Sequence, residues 1–166
     1  MKVAIFFGSK SDTETMKKAA DVLKEFGVDY KAYILSAHRA GELLHKTVKQ
    51  VEKDGCEVII AGAGLAAALP GVIAGATTLP VIGVPLSGSV LDGVDALYSI
   101  VQMPPGIPVA TVAINGAKNA AWLAIEIMAI KHEALRQVLL DSRKSMQEVA
   151  LLSNDEIIAK YENDQE

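Results

Sequence analysis

The chain has 166 residues and a mass of 17.6 kDa, enough for one core of ordinary size and too little for two. Sixteen Lys and Arg against twenty Asp and Glu leave a net charge of -4 and a pI near 5.4, the wrong sign for a protein that neutralises nucleic-acid phosphates or an anionic membrane. A hydrophobic fraction of 51% excludes a disordered chain, and a single cysteine, Cys56, has no partner for an internal disulfide.

In chain order, Val3–Phe7 is a continuous apolar run ending at Gly8, the pattern of a strand buried on both faces. It is too short for the core of a signal peptide, so a soluble cytoplasmic protein is expected. Met16, Ala19, Ala20, Leu23 and Phe26 then recur at helical spacing, with Gly27 as a C-terminal cap. Val28–Leu35 reads as a second strand. Leu43, Leu44, Val48 and Val51 mark a second helix that stops near Asp54-Gly55.

Between Val58 and Leu91 no residue is charged, and up to Ala117 only Asp92 and Asp95 interrupt. Glycines and prolines divide this stretch into pieces too short to cross a hydrocarbon core of about 30 Å. It reads instead as strands at Val58–Ala61, Val81–Val84 and Val109–Ile114, with helices starting at Ala66 and about Gly93. The segment Ala66–Gly75 is apolar around its whole circumference and so needs cover on all sides. Neighbouring subunits are expected to supply it, making the protein a homo-oligomer.

Two long helices follow, Ala117–Ile130 and Glu133–Leu152, the second with Leu135, Val138, Leu139, Met146 and Val149 on one face. Asn154–Glu166 reads as a polar, peripheral arm. Strands alternating with helices predict an α/β fold: a three-layer, flavodoxin-like, doubly wound parallel sheet of order 2-1-3-4-5 with C-terminal helices. One domain is expected over residues 1–166, with a core over 1–130 and a C-terminal helix and arm over 131–166.

In such a sheet, ligands bind beyond the carboxyl ends of the strands. Five loops fall there: Gly8–Asp12, Ser36–Arg39, Gly62–Gly64, Pro85–Ser89 and Asn115-Gly116. In the first, Ser9 and Ser11 have hydroxyls for phosphate oxygens, and Asp12 can accept from a ribose hydroxyl. The competing reading is plain helix capping by Ser11 or Asp12. In the second, His38 is suited to move a proton near neutral pH, and Arg39 to grip phosphate or carboxylate. His45, mid-helix, and His132, at a helix junction, read as surface or packing residues.

Gly62-Ala63-Gly64-Leu65-Ala66-Ala67 matches the dinucleotide-binding pattern G-x-G-x-x-G/A, but it follows the third strand and lacks the acid at the end of the next one. A nicotinamide dinucleotide is therefore not expected, although a smaller anion such as a carboxylate can dock there. No phosphate-binding lysine loop, metal-ligand spacing or G-x-S-x-G turn occurs. A site without metal or cofactor is expected, with one acid/base and several anion grips.

Gly8-Ser9-Lys10-Ser11-Asp12, Ser36-Ala37-His38-Arg39, Ala61-Gly62-Ala63-Gly64 with Leu69-Pro70-Gly71, and Ser99–Pro104 occur in that order in one family. From about Val3 to Ser145 the chain closely resembles the 5-(carboxyamino)imidazole ribonucleotide mutases of de novo purine biosynthesis, also known as catalytic subunits of phosphoribosylaminoimidazole carboxylase. The resemblance implies an isomerase that moves a carboxylate from the exocyclic nitrogen to the adjacent ring carbon, giving 4-carboxy-5-aminoimidazole ribonucleotide. It implies that His38 is the general acid/base, that Ser9, Ser11, Asp12 and Arg39 contact ribose and phosphate, and that Ser36 and Gly64 line the carboxylate end. It also implies an octamer, with no nucleic-acid or membrane partner.

One departure stands out. Most bacterial members have Gly-Ala-Ala-His-Leu-Pro-Gly where this chain has Leu65-Ala66-Ala67-Ala68-Leu69-Pro70-Gly71, so a second family histidine is replaced by Ala68. That keeps two alternatives open: a lyase-type carboxylase using free carbon dioxide, and a non-catalytic nucleotide-binding homologue. Arg39 and Ala61–Gly64 favour the mutase.

Overall fold

A computed structural model of the protein describes residues 1–88 and 90–163. Strand β1 spans Lys2–Phe7, and a 3-10 turn at Lys10–Asp12 leads into α1, Thr13–Glu25. Next come β2 (Asp29–Ile34), α2 (Gly41–Lys53), β3 (Val58–Gly64), α3 (Leu69–Ala74), β4 (Val81–Leu86), α4 (Val94–Val101), β5 (Ala110–Thr111), α5 (Ala117–Ala129) and α6 (Glu133–Asn163). The strands form one parallel sheet of order β2-β1-β3-β4-β5, the flavodoxin-like order expected from the alternation of strands and helices.

The apolar runs become the central strands because each buries both faces. Ala4, Phe6, Ile59 and Ala61 point to one side, against Leu44, Val48 and Val51 of α2, Ile73 of α3 and Ile100 of α4. Ile5 and Phe7 point to the other side, where Met16 and Ala20 of α1 lie, and Phe26 after α1 meets Trp122 of α5 edge to face. β2 is an edge strand, exposed along most of its length. Its Tyr33 stacks on Phe6 with ring centroids 4.9 Å apart.

Two glycines are required by close packing. A side chain at Gly83 would meet Ile100 and Val109, and one at Gly62 would meet the thioether of Met16. Each lets a helix approach the sheet more closely than alanine would allow.

Several boundaries differ from expectation. β3 runs on to Gly64, with Gly62 paired to Phe7 and to Val84, so Gly62-Ala63-Gly64 is strand and not loop. Two neighbouring strands holding it in register outweigh the poor strand preference of glycine. α3 starts at Leu69 and not Ala66, with Pro70 in its first turn. It buries Leu69, Pro70, Ile73 and Ala74 within this chain, leaving only Gly71 and Val72 half-covered. β5 pairs only as Ala110–Thr111; beyond it the edge continues through single bonds, Val112 N to Gly83 O and Asn115 N to Pro85 O. Leu43 of α2 turns to solvent, while Leu44, Val48 and Val51 make the buried face.

Contacts divide the chain into Met1–Met128 and Ala129–Glu166. In the second unit, α6 does not end at Leu152 but continues through Asn163, because no glycine or proline interrupts residues 133–163. The expected arm is therefore helical as far as Asn163, and residues 164–166 lie outside the described residues. Of the expected α6 face, Leu135 is buried and Leu139 half-buried, whereas Val138, Met146 and Val149 are exposed. No helix among the described residues is long and apolar enough to cross a membrane.

Candidate active site

The carboxyl edge of the sheet opens into a cleft of about 580 Å³, within the range of small-molecule sites, about 300–1,000 Å³. Ser9, Ser11, Asp12, Ser36, His38, Arg39 and Gly64, all singled out from sequence, lie on its wall. They come from three stretches far apart in the chain. A parallel sheet brings them together because every strand ends at the same edge.

After β1 the chain makes a tight turn that is held by its own side chains. Ser9 Oγ accepts from Ser11 N at 3.4 Å, and Asp12 Oδ2 accepts from Ser9 N at 3.1 Å, a reciprocal capping box around the 3-10 turn. The capping residue is thus Ser9, where Ser11 or Asp12 was expected; Asp12 precedes α1 but makes no cap bond to it. Ser11 Oγ lies 2.9 Å from Ser9 Oγ and 3.1 Å from Asp12 Oδ1. Capping and ligand binding are compatible here, since a carboxylate has about four acceptor sites and this turn uses only some of them.

After β2, the Ser36 carbonyl accepts from Arg39 N (3.3 Å) and Ala40 N (2.9 Å), closing a turn over Ala37–Arg39. Ala37 packs against the core, which anchors the turn, while His38 and Arg39 are exposed at the cleft. No ion pair joins His38 or Arg39 to another described residue. An arginine left unpaired beside a cleft keeps its full hydrogen-bonding fork for a ligand.

The third wall leaves β3 through Leu65, a leucine in the left-handed region at φ 56, with Ala67 N bonded to Leu65 O at 2.9 Å. Left-handed backbone costs an L-residue other than glycine about 1–2 kcal/mol. Ala68 lines the cleft half-buried, so the wall from Leu65 to Leu69 is apolar and carries no titratable group.

The fourth wall, Ser87-Gly88, follows β4. Sequence reading picked out its loop but gave these residues no role, and Ser89 of that loop lies outside the described residues.

Other candidates fall elsewhere. His45 Nδ1 sits 2.9 Å from Gly41 O on the exposed surface of α2. His132 precedes α6 in the second unit. Cys56 is buried at the amino edge of the sheet, and burial pushes its thiol above the usual range. Among the described residues, no three of His, Cys, Asp and Glu come close enough to share a metal ion.

Residues 2–149 match the family model described as AIR carboxylase. The N5-carboxyaminoimidazole ribonucleotide mutase of Pyrococcus abyssi is 57% identical over 145 residues, covering 87% of this chain and 83% of the relative. The protein of the same name from Thermotoga maritima is 51% identical over 150 residues, covering 90% and 88%. Among solved structures, that of Treponema denticola PurE superposes with a TM-score of 0.77 at 32% identity, covering 89% of this chain and 94% of its own.

Proposed function

This chain belongs to the AIR carboxylase family, and from that premise we propose that it is an isomerase of de novo purine biosynthesis, a 5-(carboxyamino)imidazole ribonucleotide mutase. The observation that carries the reading is the meeting of His38, Arg39 and the Ser9–Asp12 turn at one cleft that also includes the Gly64 wall. Several relatives matched over most of their own length have this activity in their names.

The reaction breaks the bond between the exocyclic nitrogen and its carboxylate. His38 gives the nitrogen a proton as carbon dioxide leaves, and the ring carbon attacks the trapped carbon dioxide. The proton on that carbon then returns to His38, so no net proton is consumed. Retention matters because a held molecule reacts at a far higher effective concentration than one from solution. With Ala68 opposite, the apolar wall has no second base, and both transfers fall to His38. Ser9, Ser11, Asp12 and Arg39 hold ribose and phosphate, while Ser36 and Gly64 face the carboxylate. The substrate is a small ribonucleotide, with no resident metal or cofactor.

The protein is proposed to work in the cytoplasm as a homo-octamer. Exposed Leu91, Val94, Tyr98 and Val101 recur at helical spacing along α4 and its approach, an apolar stripe that favours association between copies.

The deciding experiment supplies the carbamate substrate in isotope-labelled bicarbonate and weighs the product. Unlabelled product is expected. Label at the ratio of the pool would make it a carboxylase of free carbon dioxide, and absence of product would make it a binding protein.

A further inference from the structure

Asn115 lies outside every role given above, yet its side chain reaches the cleft wall across 28 positions of sequence. Its Oδ1 accepts from Ser87 N at 3.1 Å, and its Nδ2 donates to Ser87 Oγ at 2.8 Å. The backbone fixes the sense of this clamp. A backbone N–H can only donate, so the amide atom facing it is the oxygen, and the nitrogen must face the hydroxyl. Ser87 Oγ therefore accepts from Asn115, and its own O–H remains a donor pointing elsewhere.

The clamp is built into the fold. Asn115 sits in the left-handed region at φ 58, which asparagine tolerates better than most residues, and its N–H donates to Pro85 O at 2.8 Å. Gly93, at φ 91, approaches Ser87 so closely that an added Cβ would lie 3.2 Å from Ser87 Cα and 2.8 Å from Ile114 Cγ2. Ser87 is thus held from two sides, although it is a loop residue.

Ser87 follows Leu86, the strand partner of Gly64, so it stands on the β4 side of the cleft. The Ser9–Asp12 turn and Arg39 follow β1 and β2, on the far side of β3. A ribonucleotide held by its phosphate on the β1–β2 side extends its ring towards β3 and β4. We propose that Asn115 is a positioning residue that sets the Ser87 hydroxyl as a hydrogen-bond donor to the carboxylate that the reaction places on the ring carbon of the product. The proposal rests on the mutase reading and adds to it a donor, and the residue that orients that donor.

The test measures binding by calorimetry of two ligands, 4-carboxy-5-aminoimidazole ribonucleotide and the same ribonucleotide without its carboxylate. The variants are Ser87→Ala, Asn115→Gly, which suits the left-handed backbone, and the double variant. Each single variant is expected to bind the carboxylated ligand about tenfold more weakly, the size of one hydrogen bond to a charged group, and the other ligand within about twofold of wild type. The double variant is expected to be no weaker than Ser87→Ala alone, because Asn115 acts through Ser87. Equal losses for both ligands, no loss for either, or additive losses in the double variant would overturn the proposal while leaving the mutase reading intact. Wild-type protein that binds neither ligand would overturn that reading, and this inference with it. Should Asn115→Gly fail to fold, Asn115→Ser decides: it removes the paired bonds to Ser87 without adding charge, so the same selective loss is expected, and an unchanged preference for the carboxylated ligand would overturn the proposal.

Discussion

The two edges of the sheet are built from opposite materials. At the amino edge, charges are paired: Lys31 with Asp54 at 3.2 Å, Lys49 with Glu52 at 3.2 Å, and the amino terminus with Glu57 at 3.8 Å. Lys2 Nζ adds a bond to Asp54 O at 3.0 Å, and Thr77 donates to Glu52, tying the end of α2 to the approach to β4. At the carboxyl edge, His38 and Arg39 have no ion-pair partner among the described residues, and Leu65, Asp92 and Asn115 adopt positive φ. One edge satisfies its polar groups internally. The other keeps strain and unpaired charge, the condition in which a ligand has something to satisfy.

If that contrast is functional, changes at the carboxyl edge alter turnover with little effect on melting, and changes at the amino edge do the reverse. The largest expected effect is at His38. His38→Asn is expected to cut turnover by about 10²–10⁴-fold, the usual contribution of a general acid/base, with an unchanged melting temperature. A variant that keeps near-normal turnover would remove His38 from the mechanism.

Arg39→Ala comes next. Loss of a charged contact to phosphate is expected to weaken ribonucleotide binding by about 1.5–3 kcal/mol in calorimetry, again without a change in melting. Unchanged affinity would place the phosphate elsewhere.

Between the edges, Gly83→Ala puts a methyl against Ile100 and Val109 in the core and is expected to destabilise by about 1–3 kcal/mol in denaturant titration. Gly62→Ala is expected to cost less, because its obstacle is the flexible end of Met16. Equal costs would mean that Met16 is as rigidly held as Ile100.

The smallest effect belongs to the amino edge. The hydroxyl bond from Thr77, followed by Lys49, holds the Glu52 carboxyl below the usual carboxylate range. A carboxyl lowered on folding adds stability above its unfolded pKa, about 4.3, and that stability is lost as pH falls through the folded value. Glu52→Gln is therefore expected to lower stability at neutral pH by less than about 1 kcal/mol, given its exposure, and to flatten the acid side of a melting profile. Turnover at pH 7 should stay as in wild type. A drop in turnover without a drop in stability would break the contrast between the edges.

Much of this was legible in the sequence because it is written in local pattern. Apolar runs of five or so residues ending in glycine mark the buried strands, and their alternation with helices leaves few topologies. The carboxyl-edge rule then picked out the Ser9–Asp12 and Ser36–Arg39 loops without coordinates. What pattern missed depended on neighbours. Gly62–Gly64 looks like a loop by composition and is strand because β1 and β4 pair with it. Val109–Ile114 looks like a full strand and pairs in register at only two residues, its edge continuing through single bonds to Gly83 O and Pro85 O. Asn154–Lys160 looks like a polar arm and is helix, because nothing in it breaks the preceding one.

The same division holds at the site. Residue type and order determined the family, the sheet and the loops that matter, since strand periodicity and turn chemistry act over a few positions. Tertiary structure alone decided that Gly62–Gly64 pairs as strand between its two neighbours and that Asn115 grips Ser87 from 28 residues away. Those outcomes depend on which groups lie within about 3 Å of one another, and spacing along the chain does not encode that distance when the partners come from different strands.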